Sequence, residues 1–498
     1  MKIVKREKLI CIDKDEIDEF ILAKRFIGLN KSPRDEKIIV SLTSYKPRIN
    51  DVKYTIYSLL NQTFPPDELI LWLDEDSFPQ REENLPQDLL ELQKFGLTID
   101  WCENLYSYKK LIPVLEKYPE DIIVTADDDI FYRADWLKIL CEEHAKNPDC
   151  VIAHRGHRLR LDTQGKPLPY LSWHFEITPF RAESAKRYSN FFTGSGGVLY
   201  SKKFFHDDIF RQDLFTKISP LSDDIWFWAM SVLHNTKIKI PTAAQCRLIY
   251  VDFDTQRNGE TLWSKNKIQN DTQLQQVLKL YPELLEKLIR EDAESEPYLS
   301  VVMLLKDFTN FPDCLKNISK QKFPDFEVVL INCSSCIELQ SLPTNFHVIN
   351  YPGGSVVDAL NLGLRKAEGD YVLFAGENVI FPYGGLDIAA QTIDMSNADV
   401  IHFAGHIQLE GDNGQFVLDD TPELKSDTPT LFDAPKQLRA VFWLQNKLSN
   451  RLDTKIFRRD FLLKHGITFG NDLTEFLFQA LTQADKYLIA PQAFCFCK

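Results

Sequence analysis

The chain has 498 residues, more than one ordinary core serves, so two or more domains are expected. Its 44% hydrophobic and 26% charged residues are typical of a soluble globular protein. A formal net charge of −14 argues against a nucleic-acid binder that neutralises phosphates over a broad basic surface.

No apolar run approaches the roughly 18–20 residues of a membrane span. The opening MKIVKREKLICIDKDEIDEF lacks the apolar core of a signal peptide, so a cytoplasmic location is expected. The ten cysteines are scattered, and the CxxC of Cys333 and Cys336 has no second pair to complete a zinc site; reduced thiols are expected. Residues 1–37 form a charged N-terminal extension, helical or loosely ordered.

From Ile38 strands and helices alternate. IIVSLTSY (38–45) is β-branched and reads as a strand. DVKYTIYSLLNQ (51–62) places Val52, Ile56, Leu59 and Leu60 near helical spacing. ELILWLDED (68–76) is a strand ending in acid. LLELQKFG reads as a helix with a glycine stop, LTIDWC as a strand, and KKLIPVLEKY as a helix with Pro113 early in it. IIVTADDD (122–129) is the next strand. This alternation predicts an α/β fold, a mostly parallel sheet covered by helices. Ligands bind such sheets at the carboxyl ends of the strands, where Asp74 and Asp127, Asp128 and Asp129 lie.

The charged segment REDAESEP (290–297) marks a boundary, giving a first domain over 38–290, a linker at 291–297 and a second domain over 298–498. The second domain repeats the first. NQTFPPDELILWL (61–73) is similar to KQKFPDFEVVLIN (320–332), and EDIIVTADDDI (120–130) to GDYVLFAGENV (369–379). A tandem duplication is expected rather than a short-period solenoid.

Three ionised carboxylates cannot end a buried strand without a counter-charge. Alternation sends Asp127 and Asp129 to one side. A divalent cation between them would neutralise the site and could hold a diphosphate. Hard oxygen ligands in small number suit Mg²⁺ or Mn²⁺, which keep waters and substrate phosphates. The competing reading is a solvated acidic turn.

The order VSLTSY, NQTFPPDE, LWLDEDS, KK, TADDD resembles the GT-A glycosyltransferases, and glycosyltransferase family 2 in particular. The resemblance covers about residues 38–290 and, more weakly, 298–498. It implies two tandem GT-A domains. It also implies a nucleotide-binding set: Thr43, Tyr45 and Arg48 bordering the base, Asp74 reading uracil or ribose, and Lys109 and Lys110 contacting the diphosphate. Asp127 and Asp129 match the metal-binding DxD, for Mn²⁺ or Mg²⁺, and Asp128 would face ribose or support the loop.

An inverting transfer also needs a base within hydrogen-bond reach of the acceptor hydroxyl. In LSDDIWFWAMSVL (221–233), Asp223 and Asp224 open an apolar helix, either as caps or as catalytic acids. The resemblance assigns the base to Asp224, with Asp223 as the fallback; Trp226 and Trp228 could stack against a sugar, with core packing expected for at least one of them. In FFTGSGGVLYSKKFF (191–205), Gly194, Gly196 and Gly197 let backbone approach a ligand; the resemblance puts Gly196 and Gly197 beside donor and acceptor sugar. HRGHRLRLD (154–162) offers contacts to an acceptor phosphate or carboxylate, and RNGETLWSKNKIQND (257–271) reads as a loop over the site.

In the second copy Asp127, Asp128 and Asp129 correspond to Gly376, Glu377 and Asn378, Asp74 aligns near Cys333, and Glu475 falls opposite Asp224. A neutral Asn and a Gly cannot supply the charge a divalent ion needs, so this copy reads as degenerate. The expected activity is transfer of a sugar (hexosyl transfer, EC 2.4) from a nucleotide sugar, most simply a UDP-sugar. The resemblance implies a glycan or glycoconjugate acceptor in bacterial surface polysaccharide synthesis, and the net charge argues against a nucleic-acid partner. Peripheral association with the inner face of the membrane is left open. The rival readings are a non-catalytic nucleotide-sugar or carbohydrate-binding protein and a two-site glycan polymerase. A dinucleotide-binding Rossmann dehydrogenase is disfavoured, because LTSYKPRIN has no glycine fingerprint.

Overall fold

In the computed structural model the described residues are 3–6, 9–177, 185–241, 243–244, 247–252, 262–306, 311–334, 342–410, 413–418, 430–431, 436–444, 448–470, 472–492 and 494–497. They divide into two compact units. The first comprises Met1–Leu159, Pro169–Leu171 and Ala185–Glu291. The second comprises Arg160–Leu168, Ser172–Ser184 and Asp292–Lys498. The division at Glu291 falls inside a helix, Glu283–Ala293, so the segment expected as a linker begins as helix.

The first unit is built on an eight-stranded sheet. In chain order its strands are β1 (Ile38–Thr43), β2 (Glu68–Asp74), β3 (Leu97–Cys102), β4 (Ile122–Ala126), β5 (Val151–Ala153), β6 (Lys186–Arg187), β7 (Val198–Ser201) and β8 (Ile238–Lys239). Their spatial order is β3-β2-β1-β4-β7-β5-β8-β6. The four strands from β3 to β4 are parallel. β7 is antiparallel to both β4 and β5, β8 is parallel to β5, and β6 is antiparallel to β8.

Strands β1 and β4 are apolar on both faces because helices cover both sides of the sheet. Ile39, Val40, Leu42, Ile123 and Val124 are fully buried. On one face they meet the helix α1 (Val52–Leu59) through Val52, Ile56 and Leu59, the residues whose spacing predicted it.

In the N-terminal extension Ile3–Arg6 and Leu9–Ile12 pair antiparallel, and Lys14–Leu22 is a helix. Tyr250 N–H donates to Ile10 O (2.8 Å), and Val251 N–H to Asp129 O (2.9 Å). The extension therefore backs the segment that fixes the acidic turn. Residues 257–261 lie outside the described residues. Residues 262–271 open the helix Leu262–Leu280, a correction to the loop expected there.

The second unit carries β9 (Leu299–Leu305), β10 (Phe326–Asn332), β11 (Phe346–Asn350), β12 (Tyr371–Gly376), β13 (Val400–Phe403), β14 (Thr430–Leu431), β15 (Lys455–Arg458) and β16 (Tyr487–Ala490). Their order is β11-β10-β9-β12-β15-β13-β16-β14, the first sheet's order strand for strand. The directions of pairing also repeat.

A buried glutamine occupies the same place in each unit. Gln62 Nε2 donates to Ser58 O and Arg133 O, and its Oε1 accepts from Leu137 N–H. Gln321 Nε2 donates to Asn317 O, Phe381 O and Pro382 O, and its Oε1 accepts from Leu386 N–H. Each ties the end of a helix after the first strand to the start of the helix after the fourth. The α/β class is thus met in both units, although the half of each sheet beyond β4 or β12 is mixed rather than parallel.

Candidate active site

The carboxyl ends of β1, β2 and β4 meet at one edge of the first sheet. Strand β4 ends at Ala126, and the three aspartates follow as a turn. Their carboxylates do not behave alike. Asp128 is buried: its Oδ2 accepts from Ser44 Oγ (2.6 Å) and its Oδ1 from Arg48 Nη1 (2.8 Å). Its carbonyl, with that of Ile130, accepts from Thr55 Oγ1 on α1. Asp128 therefore supports the turn. Arg48 also reaches Asp129 Oδ2 (3.1 Å). Burial opposes the guanidinium charge, but Asp129 and Asp128 outweigh it and hold Arg48 firmly protonated.

Asp127 and Asp129 keep more solvent contact, with side chains 29% and 14% exposed. Asp127 N–H donates to Tyr132 Oη (2.8 Å), and that hydroxyl reaches Ser195 O (3.3 Å), tying the acidic turn to the glycine segment. Ser44, Thr55 and Tyr132 have roles that sequence reasoning missed. For Tyr132 a signal existed, because it lies only five residues beyond Asp127.

The two lysines of SYKKLIPV sit in the 3₁₀ turn Tyr106–Lys110, and the helix proper is Ile112–Lys117 with Pro113 in its first turn. Lys109 is ion-paired to Asp74, and both are almost fully buried. Burial alone would raise the Asp74 carboxyl, but Lys109 and the Ser77 backbone and hydroxyl lower it. The structure thus places Asp74 and Lys109 against each other, as a buried strut under the edge.

Lys110 goes the other way. Its Nζ lies 2.9 Å from Asp127 Oδ1 and 3.1 Å from Asp223 Oδ2. Burial opposes its charge, and the three carboxylates of Asp127, Asp223 and Asp224 overcome that.

Asp223 and Asp224 open the helix α2 (Asp223–Leu233), where acids also suit the helix dipole. Asp223 is buried against Lys110. Asp224 still meets solvent at one edge, and both its oxygens accept from Gly194 N–H, at 3.1 and 3.2 Å. Burial first, then the neighbouring Asp223 charge, push its pKa up to about 7 against the pull of Lys110. A side chain at 194 would crowd this: an added Cβ would lie 2.6 Å from Lys110 Nζ and 3.2 Å from Asp224 Oδ1. Gly196 O accepts from Trp136 Nε1 (2.8 Å), and Gly197 adopts φ +92° with its missing Cβ directed at the Trp136 ring.

Thr43 Oγ1 donates to Trp72 O (2.8 Å), and Tyr45 is 48% exposed with Arg48 beside its ring. Trp226 is fully buried among Phe215 and Tyr281, and its Nε1 donates to Ile209 O, so it packs the core and is not placed to stack on a sugar. His154 and His157 are also fully buried. Burial lowers both, His154 to about 4, so they sit as neutral core groups. Arg160, in the second unit, bonds Ser319 O and Asn345 Oδ1 instead of an acceptor.

Among the described residues no three His, Cys, Asp or Glu side chains converge as a ready metal site. The described ion pairs bring two cations, Arg48 and Lys110, to the four carboxylates of Asp127, Asp128, Asp129 and Asp223. That excess of negative charge, with two partly exposed carboxylates, fits Mg²⁺ or Mn²⁺ completed by substrate oxygens and water.

Residues 42–209 match the model of glycosyl transferase family 2. The family 2 match holds Thr43, Asp74, the lysine pair, the aspartates and the glycine segment, and ends before Asp223 and Asp224. The likeness seen in the sequence motifs is therefore met over this region. No curated protein matches the chain. Among solved structures, S. aureus TarS is 21% identical over 40% of this chain and 36% of its own, at a TM-score of 0.32. S. aureus TarS 1–349 in complex with UDP-GlcNAc is 21% identical over 40% of this chain and 58% of its own, at 0.31. GalNAc-T7 with UDP, GalNAc and Mn²⁺ is 14% identical over 41% of this chain and 44% of its own, at 0.29. The match thus spans little more than a third of the TarS chain. Among the described residues no helix is long and apolar enough to cross a membrane.

Proposed function

We propose that the first unit is an inverting, metal-dependent glycosyltransferase moving a sugar from a uridine diphosphate sugar to a hydroxyl of a glycan or glycoconjugate. The observation that carries this is Asp224: a carboxylate at the site's edge, tied to Gly194 N–H and held to about 7. Near neutral pH such a group can take the acceptor proton as the hydroxyl attacks. Asp223 is engaged by Lys110 and is the weaker candidate.

Asp127 and Asp129 would hold Mn²⁺ or Mg²⁺, whose chemistry is to offset charge gathering on the leaving diphosphate. Tyr45, Thr43 and Arg48 border the nucleotide. Asp128, Asp74 and Lys109 fix the frame, while Gly196 and Gly197, expected beside the sugars, instead let their segment pack closely on Arg155 and the Trp136 ring. The product class, a bacterial surface polysaccharide, follows from the family resemblance, and the expectation of a cytoplasmic setting from the lack of a signal-peptide core or apolar span in the sequence.

We read the second unit as a duplicate that has lost this chemistry. Ile122 and Tyr371 hold the same ladder position beside the central strand, which carries Asp127, Asp128 and Asp129 onto Gly376, Glu377 and Asn378. The helices Asp223–Leu233 and Leu473–Gln483 have equal length, and matching their first residues sets Asp224 against Thr474, one place before Glu475.

The test is a panel of UDP-sugars with Mn²⁺, scored for UDP release with and without candidate acceptors. Asp224→Asn should cut turnover at least about a hundred-fold. Full activity in Asp224→Asn would remove the base assignment.

A further inference from the structure

Lys110 is placed where a lysine is costly unless it has work to do. Its side chain is 7% exposed and lies between two carboxylates, Asp127 Oδ1 at 2.9 Å and Asp223 Oδ2 at 3.1 Å. Without it, the buried Asp223 and the partly exposed Asp127 would both lose their nearest counter-charge. The chain makes room for it with Gly194, since a Cβ there would lie 2.6 Å from Nζ. Arg48 holds Asp128 and Asp129 differently, through two nitrogens of one rigid fork. A lysine is a point charge on a flexible four-carbon stem, so it can leave one partner and keep the other.

We propose that Lys110 is an internal counter-cation of this site, which holds the Asp127 carboxylate in place of a divalent ion, yields it when the ion binds, and stays anchored to Asp223. This rests on the metal-dependent reading above. Lys110 is thus a positioning residue. It keeps the metal-side carboxylate and the helix that carries Asp224 in register before the donor arrives, and it weakens the apparent affinity for the ion by competing for Asp127. A buried unit charge about 3 Å from a ligand oxygen is a large competitor at the effective dielectric of a protein edge.

The experiment is a Mn²⁺ titration of the full chain in the presence of UDP, followed by electron paramagnetic resonance of free Mn²⁺. Lys110→Met is expected to bind Mn²⁺ at least about ten-fold more tightly than the wild type. A role limited to stability predicts equal or weaker binding. Because the single variant leaves two acids facing each other, it is paired with Lys110→Met/Asp223→Asn, which restores the charge balance and should also bind more tightly. Asp223→Asn alone keeps Lys110 on Asp127 and should not. Unchanged or weaker Mn²⁺ binding in the folded Lys110 variants, with binding intact in the wild type, overturns the inference and leaves the metal reading standing. Absence of Mn²⁺ binding by the wild type itself overturns the metal reading and this inference with it.

Discussion

Replacing Asp224 with Asn should stabilise the protein at alkaline pH. An acid held at about 7 in the folded chain, against an ordinary value of 3.8, is a proton the folded state binds more tightly than the unfolded state does. Below about pH 4 the group is protonated in both states and costs nothing. Between about 4 and 7 the unfolded chain releases its proton first, so stability falls as pH rises; above about 7 the full penalty is present. A displacement of that size corresponds to at most about 4 kcal/mol. Asp224 meets solvent at one edge, which screens part of it, so about 1–3 kcal/mol is the expected gain at pH 8. Asn retains an oxygen for Gly194 N–H and carries no charge. Urea unfolding of both proteins at pH 5, 6, 7 and 8 checks this. The stability difference should grow with pH in favour of Asp224→Asn while turnover is lost. A difference that is flat with pH, or that favours the wild type more as pH rises, would refute the reasoning.

Three other changes separate frame from chemistry. Gln62→Leu strips partners from Ser58 O, Arg133 O and Leu137 N–H in a fully buried setting and should cost about 2–4 kcal/mol in denaturant unfolding. Trp226→Phe removes a buried bond to Ile209 O and some packing; it should lower the unfolding midpoint yet leave the KM for donor unchanged, because the indole lies in the core. Gly197→Ala would put a Cβ 2.3 Å from the Trp136 ring at φ +92°, so it should lower both thermal stability and turnover, read by calorimetry and UDP release.

Much of this was legible in the sequence because the relevant patterns are local. Strand β4 is a short β-branched run, and the repeat of Gln62 at Gln321 is visible by eye. It became a shared hydrogen-bond network because both glutamines solve the same problem of unpaired backbone groups at a helix end. Pairing across the chain was not legible. Lys109 and Lys110 are adjacent yet turn to different acids, Asp74 and Asp127, and nothing in the sequence KK says which goes where. Trp226 misled because an aromatic beside two acids suggests a sugar platform, whereas the period of α2 turns it inward. The histidines of HRGHRLRLD likewise look chemical in sequence and are packing groups in the fold.

The central claim is that the acidic edge binds a nucleotide diphosphate through a divalent ion held by Asp127 and Asp129. Calorimetric titration of UDP into the full chain, with and without Mn²⁺ and repeated on Asp129→Ala, tests it most directly. The account predicts UDP binding that requires Mn²⁺ and is lost in Asp129→Ala. Tight binding indifferent to both Mn²⁺ and Asp129 would contradict it.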